Sequence, residues 1–177
     1  DIDPLGSRPV VQDLLALTRA LEHLADRSAS LAVLRAPWCG LSLQELHALA
    51  GGDAPGDERQ LPTIVESLGN EQCLARLSAD GRRRAERTRE VLGEALRARA
   101  RLPLRERVEG AWLALGGPAC VVEPTDLEDA DVFFDLVSAQ ESAGRIGDPA
   151  AFDDALGRLY ALPDCDASDS LQIMTIH

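Results

Sequence analysis

Apolar positions recur along this chain at intervals of three and four, interrupted by Pro, Gly and Asp, and this pattern predicts a succession of amphipathic helices. Val10, Leu14, Leu17 and Leu21 form the first stripe, with Val11 and Leu24 beside it. Ser7 is its expected cap, and Pro9 stands where a missing N–H is harmless. Asp26 opens a second helix through Leu31 and Leu34, ended by Pro37. Ser42-Leu43-Gln44-Glu45 has the form of a capping box and starts a third helix through Leu49. After the turn-rich stretch from Gly51 to Asp57, Pro62 is expected in the first turn of a helix carrying Ile64, Val65 and Leu68. Gly69-Asn70 breaks that helix, and a further turn or two holds Cys73, Leu74 and Leu77.

From Asp80 to about Leu102 the pattern is one long helix with a thin stripe of Thr88, Val91, Leu92, Ala95 and Leu102. Pro103 ends it, and a helix from Leu104 to Leu115 presents Val108, Trp112 and Leu115 before Gly116-Gly117-Pro118. Thr125 is the expected cap of the next helix, whose first turn is acidic and whose apolar face is Val132, Phe133, Leu136 and Val137. Asp148-Pro149 opens a last helix with Phe152, Leu156, Leu159 and Tyr160. Residues 171–176 alternate and are β-branched, so they read as one strand. The expected fold class is mostly α, with a single C-terminal strand. Because one strand cannot stand alone, its sheet partners are expected in chain beyond this segment.

Composition narrows the chemistry. All 18 basic residues among the 177 are Arg, which excludes a P-loop, a Schiff-base lysine and a protein kinase from this chain. The formal charge of −12 opposes a chain that coats nucleic acid as a whole, but the charge is uneven. Residues 82–107 hold ten Arg against four acids, whereas residues 108–177 hold two Arg against fourteen. The basic run reads either as a solvated helix face, with Glu86, Glu90 and Glu94 as ion-pair partners, or as a phosphate surface with Arg83 and Arg87 as contacts. It holds no aromatic residue, so base stacking is not expected there.

Cys39, Cys73, Cys120 and Cys165 form no CxxC pair, and with three scattered His they do not read as a zinc site. Free, buried thiols and a cytoplasmic location are expected. No run of 18 apolar residues or signal peptide is visible, so no membrane partner is expected. Ala36-Pro37-Trp38-Cys39-Gly40 resembles the active-site run of thioredoxin-like proteins, with Leu31–Leu34 in the place of the preceding strand. Ser42 stands where the resolving Cys would be.

A wider resemblance covers nearly the whole chain, with residues 52–105 similar only in being helical. Residues 8–17, Arg-Pro-Val-Val-Gln-Asp-Leu-Leu-Ala-Leu, resemble the "E-V-x-D-L-L-x-x-L" helix that follows motif IV in UvrD/Rep-type superfamily 1 DNA helicases. Ala25-Asp26-Arg27 through Leu34-Arg35-Ala36-Pro37 is similar to that family's "N-x-x-D…L-L-R-x-P", and Gly40-Leu41-Ser42 occupies the place of its "R-G-I-G". Leu34 to Ser42 is especially similar to the exonuclease V beta/AddA type. Leu171-Gln172-Ile173-Met174-Thr175-Ile176-His177 resembles the opening of motif V, "V-x-L-M-T-I-H".

The resemblance implies that residues 1–36 begin the 2A region, 37–165 form a helical 2B-like insertion, and 166–177 return to 2A as the first half of motif V. It implies an accessory and regulatory part of an ATP-driven 3′→5′ DNA helicase acting in repair or recombination, with a nuclease or partner subunit in the parent enzyme. ATP and Mg²⁺ would bind elsewhere in that parent, together with domains 1A and 1B; no cofactor or catalytic residue is expected in this chain. Thr175 and His177 would lie on the single-strand path, and the Gly40-Leu41-Ser42 turn would present backbone N–H groups to duplex phosphate, although Ser42 replaces the second Gly. Pivots are expected near Pro37–Ser42 and Pro163–Ser170. A helical protein-interaction scaffold without a DNA role is the alternative, and a redox protein using Cys39 is another.

Overall fold

The computed structural model describes residues 4–51 and 61–159. Among them the chain is mostly helical and forms no sheet. Nine helices follow in order among the described residues. They are α1 (Pro9–Glu22), α2 (Arg27–Arg35), α3 (Leu43–Leu49), α4 (Ile64–Gly69), α5 (Glu71–Leu74), α6 (Ala79–Arg97), α7 (Leu104–Leu115), α8 (Thr125–Ser142) and α9 (Pro149–Gly157). The predicted strand at 171–176, with Thr175 and His177, lies outside the described residues, as does most of the loop from Gly51 to Asp57 and the second expected pivot.

Helix α1 is the axis of the molecule. Val10, Val11, Leu14, Leu15, Leu17, Ala20 and Leu21 are all buried, a stripe too broad for a helix that covers only one neighbour. It packs against α2, α7 and α8 and touches α6. One hydrophobic core therefore runs from Leu5 to Leu156, and residues on both sides of position 36 contribute to it. Its aromatic part is small: Trp112 and Phe133 each meet Phe134 edge-on, and Phe152 of α9 meets Phe133.

The helix ends show how local chemistry sets the boundaries. Asp26 caps α2 by accepting from the Ala29 N–H at 2.9 Å. The capping box at α3 forms as its sequence predicts. Other caps differ from expectation. Ser7 lies in a short 3₁₀ turn and bonds back to the Pro4 carbonyl, so the residue before α1 is Arg8. Thr63, not Pro62, begins α4, because Thr63 and Glu66 make a second reciprocal box. Thr125 is already helical, and Asp126 instead holds the preceding turn through the N–H groups of Val122 and Glu123. Helix α6 ends at Arg97 and tightens to 3₁₀ over Ala98–Ala100, which leaves Leu102 partly exposed rather than in the stripe. Proline at the start of α7 offers no side-chain cap, and Glu141 of α8 replaces it by accepting the Leu104 N–H at 2.8 Å.

Two glycines are fixed by packing. Gly116 ends α7 in the left-handed region at φ +83°, where a side chain is strained. A Cβ on Gly117 would overlap the indole of Trp112.

Candidate nucleic-acid interface

The predicted phosphate elements are the turn after α2 and the arginines of α6, and the fold brings them together. The turn leaves α2 through Ala36-Pro37, and Trp38 folds back so that its indole N–H donates to the Val33 carbonyl at 3.1 Å. Gly40 then takes φ +61°, which reverses the chain into α3. From across the molecule Arg84 reaches this turn: its Nη1 donates to the carbonyls of Cys39 and Gly40, both at 2.6 Å.

The amides of this turn are already occupied. Gly40 N–H donates to the Ala36 carbonyl at 2.7 Å and Leu41 N–H to the Leu34 carbonyl at 2.9 Å. Ser42 N–H donates to the Glu45 carboxylate at 2.9 Å. Leu41 is buried, while Gly40 and Ser42 are exposed. The turn thus presents carbonyl oxygens held by an arginine, rather than a nest of free N–H groups, and the Ser42 hydroxyl is itself a donor to Glu45 at 2.9 Å.

Glu45 organises this region. Its carboxylate accepts from the amide and hydroxyl of Ser42 on one oxygen, and from the hydroxyl of Ser78 at 2.6 Å and the Ser78 amide at 3.3 Å on the other. Ser78 caps α6 by accepting from the Gly81 N–H at 3.0 Å. One carboxylate therefore joins the N-termini of α3 and α6, where the helix dipoles favour negative charge. The Ser78 hydroxyl and the Ser42 amide hold its pKa well below the ordinary value, at about 2. A Cβ at Gly81 would overlap this carboxylate.

The arginines divide into committed and free. Arg82 pairs with Glu71 and Glu86. Arg83, predicted as a contact, is exposed and pairs only with Asp80 in the same helical turn, a bond that water and salt weaken. Arg87, the other, donates to the Ala114 carbonyl at 2.9 Å and so covers the C-terminal end of α7. Arg89, Arg97 and Arg101 make no hydrogen bond or ion pair among the described residues. Ion pairs thus run through the whole stretch, with Arg99 and Arg107 on Glu22 and Arg105 on Glu109 and Asp135 as well as the pairs of Arg82, Arg83 and Arg84, and the unpaired guanidinium groups lie between them.

Sequence reasoning missed two polar clusters. Arg8 binds Asp129 through Nε and Asp126 and Glu123 through Nη2, all near 3 Å, and Asp129 is fully buried. The acidic start of α8 therefore serves as an anchor for α1 as well as a dipole complement. Arg107 is 5 % exposed and donates to Glu22 of α1 at 2.7 Å. In the sequence both arginines read as surface charge, since nothing local marks a partner more than eighty residues away.

Cys39 is buried, and desolvation pushes its thiol upward from the ordinary value. It follows a helix, since Leu31–Leu34 belong to α2 rather than to a strand. Both features oppose a thiolate nucleophile. Among the described residues no group of His, Cys, Asp and Glu could hold a metal ion, and no helix is long and apolar enough to cross a membrane.

Comparison with protein-family models, curated proteins and solved structures finds no match to this chain.

Proposed function

We propose that this chain is the 2A–2B portion of a UvrD/Rep-type, AddA-like DNA helicase, a helical arm that contacts DNA and biases a motor without being catalytic itself. The observation that carries the reading is the pair of strings Leu34–Ser42 and Leu171–His177, which resemble the family's insertion anchors in order and separation. A mostly helical body between them is consistent with it. On this reading ATP and Mg²⁺ act in the rest of the parent enzyme, and Thr175 and His177 belong to the return into 2A. The DNA contact from this arm would come from Arg83 and Arg89, because the amides of Gly40 and Leu41 and the hydroxyl of Ser42 are used internally and Arg87 serves α7.

The test is fluorescence anisotropy of the chain with a forked DNA at several salt concentrations. Contact with phosphates should weaken linearly on a log–log plot, with a slope near −1 per phosphate neutralised. Arg83→Gln and Arg89→Gln should each lower that slope. No binding at low salt, or robust DNA-stimulated ATPase activity of the chain alone, would refute the proposal. The second reading, a helical scaffold for a protein partner, draws on the net charge of −12 and on the many arginines committed to ion pairs. It is favoured if DNA does not bind and is disfavoured by a salt-linked DNA isotherm.

A further inference from the structure

Pro9 of α1, Pro37 and Trp38 of the turn after α2, Trp112 of α7, and Val121 and Val122 wall a groove of about 320 Å³, a volume at the lower end of what binding sites hold. Val122 stands at 91 % exposure, so apolar surface continues from the groove into solvent. The charged groups on the lining are unequal: Asp13, Glu123 and Asp126 stand against a single cation, Arg8. Arg8 is already spent, since it holds Glu123, Asp126 and the buried Asp129. Asp13 makes no hydrogen bond or ion pair among the described residues. It is half-buried and short of water, with only the field of Arg35 to stabilise its charge, and its pKa rises to about 6. Even with Arg35 counted, four carboxylates lie on or beside the groove against two guanidinium groups.

We infer that this groove is a docking site for a segment of a partner protein that seats an aliphatic side chain on the apolar wall and holds an arginine or lysine against Asp13 and Glu123. Charge complementarity selects the occupant: an excess of carboxylates beside an apolar wall attracts a cation and repels nucleic acid. A partly desolvated carboxylate also gains more from an incoming cation than one in full contact with water. A chain suits the place better than a compact molecule. Asp13 and Pro37 also line the neighbouring groove of about 480 Å³ between α1 and α2, so an extended segment has a continuous track along α1 past Asp13. The inference stands apart from the helicase reading: Arg83 and Arg89 lie outside this groove, and either proposal can fail alone.

Both tryptophans of the chain line the groove, so their emission reads its occupancy. The test titrates the full 177-residue chain with the peptide acetyl-Ala-Arg-Leu-Leu-Arg-Ala-amide at constant ionic strength. A saturable change is expected, with affinity lowered about tenfold in an Asp13→Asn/Glu123→Gln double variant, since two partly exposed charge contacts are lost. Circular dichroism checks the fold of that variant, and Val122→Ser, a fully exposed change, should by itself weaken binding about threefold. No saturation up to about 1 mM peptide, or an unchanged affinity in the double variant, would overturn the site. Equal affinity for the peptide with Glu in place of Arg would overturn the charge assignment, and equal affinity with Ser in place of Leu would overturn the apolar anchor. Emission that changes with protein concentration alone, with a dimer in sedimentation, would give the groove to a second copy, and equal affinity for n-hexylammonium would give it to a small amphipathic cation; either result would overturn the partner assignment.

Discussion

Glu45 is the residue whose removal should be felt furthest, because one carboxylate holds two helix starts. Replacing it by Gln keeps the shape but removes the charge, and an amide cannot accept from both Ser42 and Ser78 on its two ends. The carboxyl pKa falls from 4.5 to about 2 in the folded protein. At about 1.4 kcal/mol per unit that depression is worth ~3 kcal/mol, and ~2 kcal/mol after screening at a site near the molecular edge. The sign follows from linkage. The folded state binds this proton less readily than the unfolded chain, so the contribution is complete above pH 4.5 and is lost as pH falls toward 2. Urea unfolding of the wild-type chain and Glu45→Gln should therefore differ by about 2 kcal/mol at pH 7, and the difference should shrink steadily below pH 4.5. Taking the difference between the two proteins cancels the titration of other carboxylates. Gly81→Ala gives an independent arm, because its Cβ would push the same carboxylate off Ser78. A gap that stays constant from pH 7 to pH 2.5, or one below about 0.5 kcal/mol at pH 7, would show that Glu45 is only a surface cap of ordinary strength.

Other expectations follow from the same reasoning. Asp13 sits half-buried between α1 and α2, and desolvation lifts its pKa from 3.8 to about 6 despite the nearby Arg35. Here the folded state holds the proton more tightly, so ionisation costs stability above pH 6; Asp13→Asn should raise thermal stability at pH 7.5, by about 1 kcal/mol after screening, and give no gain at pH 3.5. Glu22→Gln leaves the Arg107 charge buried with a weaker partner and should cost roughly 3 kcal/mol in denaturant unfolding. Gly117→Ala drives a methyl into the Trp112 ring and should cost about 2 kcal/mol, with a shift in tryptophan emission as the reporter.

Much of the helical order was legible along the chain, since each helix carries its own signal in apolar spacing and in its stops. The α3 capping box, the Asp26 cap and the Gly116 stop are set by residues within four positions of one another, and local chemistry is enough to specify them. The candidate turn at Gly40–Ser42 was equally visible, but its use was not. Whether its amides are free depends on the Leu34 and Ala36 carbonyls and on Glu45, and whether its carbonyls are covered depends on Arg84 from another helix.

Helix positions and the charge carried by each segment follow from the order of residues alone, because backbone propensity and side-chain ionisation are local properties. The tertiary structure alone decided which arginines are spent and which are free. Arg8, Arg87 and Arg107 meet partners on distant helices, whereas Arg89, Arg97 and Arg101, neighbours of Arg87 and Arg107 in the basic run, meet none among the described residues. An ion pair forms only where packing brings opposite charges within a few ångströms, and that packing is set by the shared burial of α1 against its neighbours rather than by any residue near the charge.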